Sequence, residues 1–89
     1  MQVNHNTALN RFEIDLGDDM ALLEYVQRGE EIAFTHTEVP PAYEGQGVGS
    51  RLAKTALEYA KQKGYKVHAL CSFVAGYIQR HPQYQSLTQ

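Results

Sequence analysis

The chain has little of what marks several common classes of protein. Its 89 residues include one cysteine, no tryptophan and three prolines, and the 8 lysines and arginines do not outnumber the 10 aspartates and glutamates. A single cysteine excludes an internal disulfide and fits a reducing compartment, so we expect a cytoplasmic protein. We see no signal peptide, no apolar run of membrane-spanning length and no basic stripe. We therefore expect neither a membrane nor a nucleic acid as a partner.

Residues that bind metals are also few and scattered. His5, His36, His68, His81 and Cys71 form no Cys-x-x-Cys or His-x-x-x-His pair, so we expect no metal site. The length fits a single domain over residues 1–89, with residues 1–9 polar and flexible. A core of this size is thin and a sheet edge is exposed, which is compatible with a monomer or a weak homodimer.

Three segments in the first half alternate between apolar and polar residues and predict strands, at Arg11–Leu16, Met20–Gln27 and Glu31–Val39. The second segment also fits a helix, but the short turn after it favours a strand in a meander. Alternation in the third strand places Phe34 and His36 on one face. Pro40 and its neighbour end this strand.

The second half predicts two helices around one more strand. Apolar residues recur with helical spacing over Val48–Lys63, and Gly64 stands where a glycine commonly ends a helix. A strand over Tyr65–Cys71 and a short helix over Phe73–Arg80 follow. The predicted fold class is α+β, with an antiparallel β-meander, a β–α–β crossover and a short C-terminal helix in the order βββαβα.

The most informative segment is Val39–Ala53, in which Gly45, Gly47 and Gly49 alternate between a strand and a helix. Glycines there allow positive φ and close approach of a ligand, and the first amides of a helix attract phosphate oxygens. No Gly-Lys-Ser/Thr follows, so the mononucleotide P-loop is excluded, and the spacing does not fit a Rossmann fingerprint. We expect a pyrophosphate-containing cofactor on the loop residues Gly45, Gln46, Gly47, Val48, Gly49 and Ser50.

The string Glu44-Gly45-Gln46-Gly47-Val48-Gly49-x-x-Leu52 strongly resembles the acetyl-coenzyme A loop of the GNAT N-acetyltransferase superfamily. The wider string from His36 to Leu52, with Cys71 downstream, is similar to small single-domain GNAT-like proteins of the YjdJ type, and the resemblance covers roughly residues 10–85. It implies acetyl-coenzyme A as cofactor and transfer of an acetyl group to an amine, a protein lysine being one candidate. A non-catalytic acyl-coenzyme A binding module is the alternative. Glu44 departs from the pattern, because the superfamily usually has Arg or Gln there.

The same resemblance suggests where the chemistry takes place. The cofactor would lie between two splayed strands, with Val39 pairing with its pantetheine arm and Cys71 at the mouth of the cleft. Cys71 is a candidate nucleophile or a wall residue, and His36 is a candidate general base toward an amine or Cys71. Tyr77 resembles the tyrosine that protonates the coenzyme A thiolate in many GNAT enzymes, although on an apolar helix face it fits the core equally well.

Overall fold

The computed structural model describes all 89 residues and contains one mixed sheet. Its strands lie side by side in chain order: β1 (Asn4–Asn6), β2 (Arg11–Asp15), β3 (Met20–Arg28), β4 (Glu31–Glu38) and β5 (Lys66–Ala69). The first four are antiparallel to their neighbours, and β5 is parallel to β4. The predicted meander and β–α–β crossover are confirmed.

Helix α1 (Val48–Lys63) connects β4 to β5, and α2 (Ser72–Arg80) follows β5. Short 3₁₀ helices occupy Pro41–Tyr43 and Pro82–Thr88. The predicted end of α1 at Gly64 is confirmed: this residue has φ +73°, and its amide donates to the carbonyls of the preceding turn. Neither α-helix combines the length and apolar character that crossing a bilayer requires.

The core lies on one face of the sheet. Apolar side chains of β2 to β5 join those of both helices and of the C-terminal 3₁₀ helix in a single buried cluster. On the sheet this cluster consists of Phe12, Ile14, Ala21, Leu23, Tyr25, Ile32, Phe34 and Val67. Every buried apolar residue of the helices belongs to that same cluster, so no helix packs on the opposite face of the sheet.

The prediction that residues 1–9 are flexible is wrong for the segment that forms β1. Asn4–Asn6 pairs with β2, although it has no apolar alternation that could reveal a strand. Its anchor is His5, whose ring stacks on Phe12 with centroids 4.1 Å apart and whose Nε2 lies 2.6 Å from the hydroxyl of Tyr25. Aromatic contacts across three strands therefore hold β1 in place.

The prediction that His36 shares a face with Phe34 is also wrong. Glu24 pairs with His36 but the next residue of β3, Tyr25, pairs with Phe34, so Thr35 is an extra residue in β4. Such a bulge reverses the alternation of side chains beyond it. Phe34 is fully buried, whereas His36 is exposed on the helix-free face, where its Nε2 lies 2.9 Å from Oε2 of Glu38.

Candidate active-site cleft

The parallel strands β4 and β5 separate beyond Phe34. Their pairing extends only from Glu31 to Phe34 on β4, and the amides of Leu70 and Cys71 then both donate to the Phe34 carbonyl, at 3.0 and 3.1 Å. The chain after β5 therefore turns away from β4. The edge of β4 beyond Phe34, as far as Val39, has no strand beside it on this side.

A cavity of about 560 Å³ opens where the two strands separate. Its walls are the end of β4, the loop before α1, the first turn of α1 and one aromatic residue of α2. The lining residues are Thr37, Glu38, Val39, Tyr43, Glu44, Gly45, Gly47, Val48, Gly49, Ser50 and Phe73. Predicted cofactor contacts Val39, Gly45 and Val48 thus lie at one site.

The loop carries six consecutive backbone amides with no acceptor in the chain. None of the amides from Gly45 to Ser50 donates a hydrogen bond to a carbonyl or a side chain, and the first helical bond of α1 is from Arg51 to the Gly47 carbonyl. No side chain caps this helix end. Unpaired amides at a helix N-terminus offer donors and positive potential to an anion, so the loop fits the phosphates of a coenzyme.

The three glycines of the motif meet different requirements. Gly45 and Gly47 have φ of +81° and +79°, a conformation that side chains other than glycine rarely adopt. Gly49 is helical, but a Cβ placed on it would lie 2.6 Å from Cζ of Phe73. The expectation of positive φ is therefore wrong for Gly49, where the ring of Phe73 excludes a side chain.

Gln46 and Glu44 are two polar residues of the loop, and only one of them lines the cavity. Gln46 does not line the cavity, and its side-chain amide points back to the Ala42 carbonyl at 3.4 Å. Glu44 lines the cavity and is exposed.

Tyr43 is a cavity residue that the sequence analysis missed. Its hydroxyl lies 3.2 Å from the Leu16 carbonyl oxygen and 3.0 Å from the Asp18 carboxylate, two acceptors for its one hydrogen, and this contact ties the 3₁₀ helix before the loop to the turn between β2 and β3. The hydrogen bond to Asp18 raises the pKa of Tyr43. The preceding Pro-Pro pair was the only sequence signal that a rigid turn stands here.

Cys71 lies where the strands separate, as the residue immediately before α2. It is half-buried, and its Sγ is 3.1 Å from Oγ1 of Thr37, a residue that lines the cavity. His36 lies on the other face of β4 after the bulge, so the structure does not bring it to the sulfur.

Tyr77 does not line the cavity. It is buried with its ring stacked on His81, at a centroid distance of 3.9 Å, and packs beside Tyr84. Burial raises its pKa. This placement fits the core role that the sequence left open.

The sheet order, the separated strands and the loop with free amides define a small GNAT-like domain. Comparison with known proteins agrees, since the model of the GCN5-related N-acetyl-transferase family matches residues 11–87. The chain belongs to this family.

Individual relatives support the assignment. Protein NATD1 of Gallus gallus is 36% identical over 90 residues, covering 98% of this chain and 82% of that protein. Protein NATD1 of Homo sapiens is 34% identical, covering 98% and 80%. The solution NMR structure of a GCN5-like protein from Staphylococcus aureus matches with a TM-score of 0.75 and 30% identity, covering 97% of this chain and 85% of that chain.

Proposed function

We propose that this chain is an acetyl-coenzyme A-dependent N-acetyltransferase that acts on an amine. The observation that carries the proposal is the row of six unpaired amides from Gly45 to Ser50 beside the cavity. They would hold the pyrophosphate, since several N–H donors at a helix N-terminus can share the charge of phosphate oxygens. Family membership supports the same coenzyme.

The free edge of β4 supports a place for the rest of the coenzyme. Peptide-like amides of a pantetheine arm can pair with a strand that has no neighbour, as a peptide does in β-strand addition. The edge from Thr35 to Val39 meets this requirement and leads from the loop toward Cys71. When bound, the coenzyme supplies an activated acetyl group as a thioester.

Cys71 is the nucleophile that we propose. Its Sγ would form a bond to the acetyl carbon while the bond from that carbon to the coenzyme sulfur breaks, and the proton lost by Cys71 would leave with the coenzyme thiol. The nitrogen of an amine would then bond to the acetyl carbon while the bond from that carbon to Sγ breaks, and the proton that the nitrogen loses would restore the Cys71 thiol. His36 lies on the helix-free face, where it would take the proton of an ammonium group before the amine enters the gap between β4 and β5, and Glu38 beside it would orient its ring.

The acceptor that we propose is a lysine side chain on an extended protein segment. Both helices lie on one face of the sheet, so the other face leaves room for a long chain. Glu24 and Glu38 stand next to His36 on that face, and their charge would attract an ammonium group.

A binding experiment tests the coenzyme site. Titration of coenzyme A into the ¹⁵N-labelled chain should first shift the amides of Gly45 to Ser50. Gly47→Ala should weaken binding at least tenfold, because Gly47 lines the cavity and a Cβ there would take up open space beside the unpaired amides. Gly64→Ala is the matched control: Gly64 also has positive φ and open space at the Cβ position, but it lies at the far end of α1. Unmoved loop amides at millimolar coenzyme A would refute the proposal.

A second experiment tests transfer. Incubation with acetyl-coenzyme A alone should add one acetyl group to Cys71, and a lysine-containing peptide should then release free coenzyme A thiol continuously. Cys71→Ala should abolish both signals while coenzyme A affinity is kept. Binding without thiol release toward any amine would instead identify a non-catalytic acyl-coenzyme A binding module. Full turnover by Cys71→Ala would mean that the acetyl group passes directly to the amine.

A further inference from the structure

The bulge in β4 decides which side chain faces Cys71. Without the extra residue Thr35, alternation from Phe34 would point His36 toward the core side and Thr37 away from it. With the bulge, Thr37 stands opposite Leu23, a fully buried residue, and therefore on the core side. One inserted residue thus replaces an imidazole by a hydroxyl beside the sulfur.

The contact between Thr37 and Cys71 is supported by a backbone hydrogen bond of Cys71 to β4. Thr37 Oγ1 lies 3.1 Å from Cys71 Sγ, and no other side chain hydrogen-bonds the sulfur. The Cys71 amide donates to the carbonyl of Phe34 at 3.1 Å, which holds the residue against the bulge. The sulfur makes no capping bond to α2, so it is free to face Thr37.

We propose that Thr37 is a positioning residue for Cys71, one that donates a hydrogen bond to the thiolate and orients it toward the cavity. This inference rests on the proposed function, in which Cys71 is the nucleophile. In the neutral pair either group can donate. Once the thiol has lost its proton the sulfur can only accept, so the hydroxyl of Thr37 becomes the donor.

The structure provides a way to separate this role from packing. Thr37 is half-buried and lines the cavity, so its shape matters as well as its hydroxyl. Thr37→Val keeps the branched shape and removes the hydroxyl. Thr37→Ser keeps the hydroxyl and removes a methyl group. A packing role predicts that Val is tolerated and Ser is not, whereas the hydrogen-bond role predicts the opposite.

The test is alkylation of Cys71 by iodoacetamide at pH 7, followed by mass spectrometry of the intact chain. Cys71 is the only cysteine, so the signal belongs to one site. Thr37→Val should alkylate several-fold more slowly than the wild type, because the thiolate loses a charge-assisted hydrogen bond. Thr37→Ser should stay close to the wild-type rate.

Turnover provides the second measurement. Thr37→Val should lower kcat and leave KM for acetyl-coenzyme A unchanged, and Thr37→Ser should restore kcat. Should Thr37→Val fail to fold, Thr37→Ala compared with Thr37→Ser gives the same contrast. Equal alkylation rates for the Val and wild-type chains would overturn the inference even if coenzyme A binds. Failure of the wild-type chain to bind coenzyme A would instead overturn the proposed function. The two failures are distinguishable because alkylation does not depend on the coenzyme.

Discussion

Gly49→Ala is the substitution whose consequence follows most directly from the packing of the cleft. The new methyl group would lie 2.6 Å from Cζ of Phe73, and ordinary contact begins at 3.4 Å, so the ring tip must retreat by about 0.8 Å. Forcing a carbon into a packed contact costs about 1–3 kcal/mol. Replacing a helical glycine by alanine returns about 0.5–1 kcal/mol. We expect a net loss of about 1 kcal/mol, the difference between the middles of these two ranges.

Thermal and urea unfolding followed by circular dichroism can measure this loss. In a domain of this size 1 kcal/mol corresponds to a Tm change of roughly 4–8 °C. Gly76→Ala in the middle of α2 is the matched control, because its methyl group meets only the flexible end of Arg80, at 3.3 Å. That variant should be as stable as the wild type or gain up to about 1 kcal/mol.

A double-mutant cycle with Phe73→Leu identifies the cause. Leucine lacks the ring atoms that the alanine methyl would meet, so Gly49→Ala should cost about 1 kcal/mol less in the Phe73→Leu background. The reasoning is refuted if Gly49→Ala alone is as stable as the wild type, or if the two changes are strictly additive.

Three further predictions concern charge. Burial lowers the pKa of His5, so the unfolded chain binds a proton at this residue more readily than the folded chain, and the free energy of unfolding should fall as pH drops below about 6.5. Urea unfolding at several pH values should show a smaller fall for His5→Phe. Burial, and then the hydrogen bond to Glu58, raises the pKa of Tyr84 to about 12, so ultraviolet titration should show one tyrosine ionising near that pH. The stability that this shift contributes should be complete below pH 10 and lost between pH 10 and 12, and Tyr84→Phe should cost about 1 kcal/mol. Glu44→Gln should tighten coenzyme A binding, more at low salt than at high salt; equal affinities at all salt concentrations would mean that the carboxylate does not face the phosphates.

Periodicity predicted the elements that bury a continuous apolar face. Helix α1 repeats its core residues every three or four positions and ends at a glycine, and both signals are local. The strand β1 has neither signal. His5 holds it in place through Phe12 and Tyr25, which lie 7 and 20 residues further along the chain, so only the folded sheet brings the three together.

The residues around Cys71 were harder to predict, because the bulge at Thr35 changes the face of the sheet on which the following side chains of β4 lie. Simple alternation from Phe34 places His36 on the same face, but Thr35 has no partner in β3, and His36 therefore lies on the opposite face. Whether a residue bulges depends on the register of the partner strand, which is a property of two segments. The sequence therefore indicated the strand and the cysteine but selected the wrong neighbour.

The glycine motif shows how a correct prediction can rest on an incomplete cause. Its spacing predicted a loop with free amides, and the amides from Gly45 to Ser50 are indeed unpaired. Yet only Gly45 and Gly47 require glycine for their backbone conformation, while Gly49 requires it because Phe73 packs against the first turn of α1. Two kinds of constraint thus produce one visible repeat. It follows that residue 49 and residue 73 are coupled: a chain with a smaller side chain than phenylalanine at position 73 could carry alanine at position 49 and keep the same loop, whereas position 47 would still need glycine.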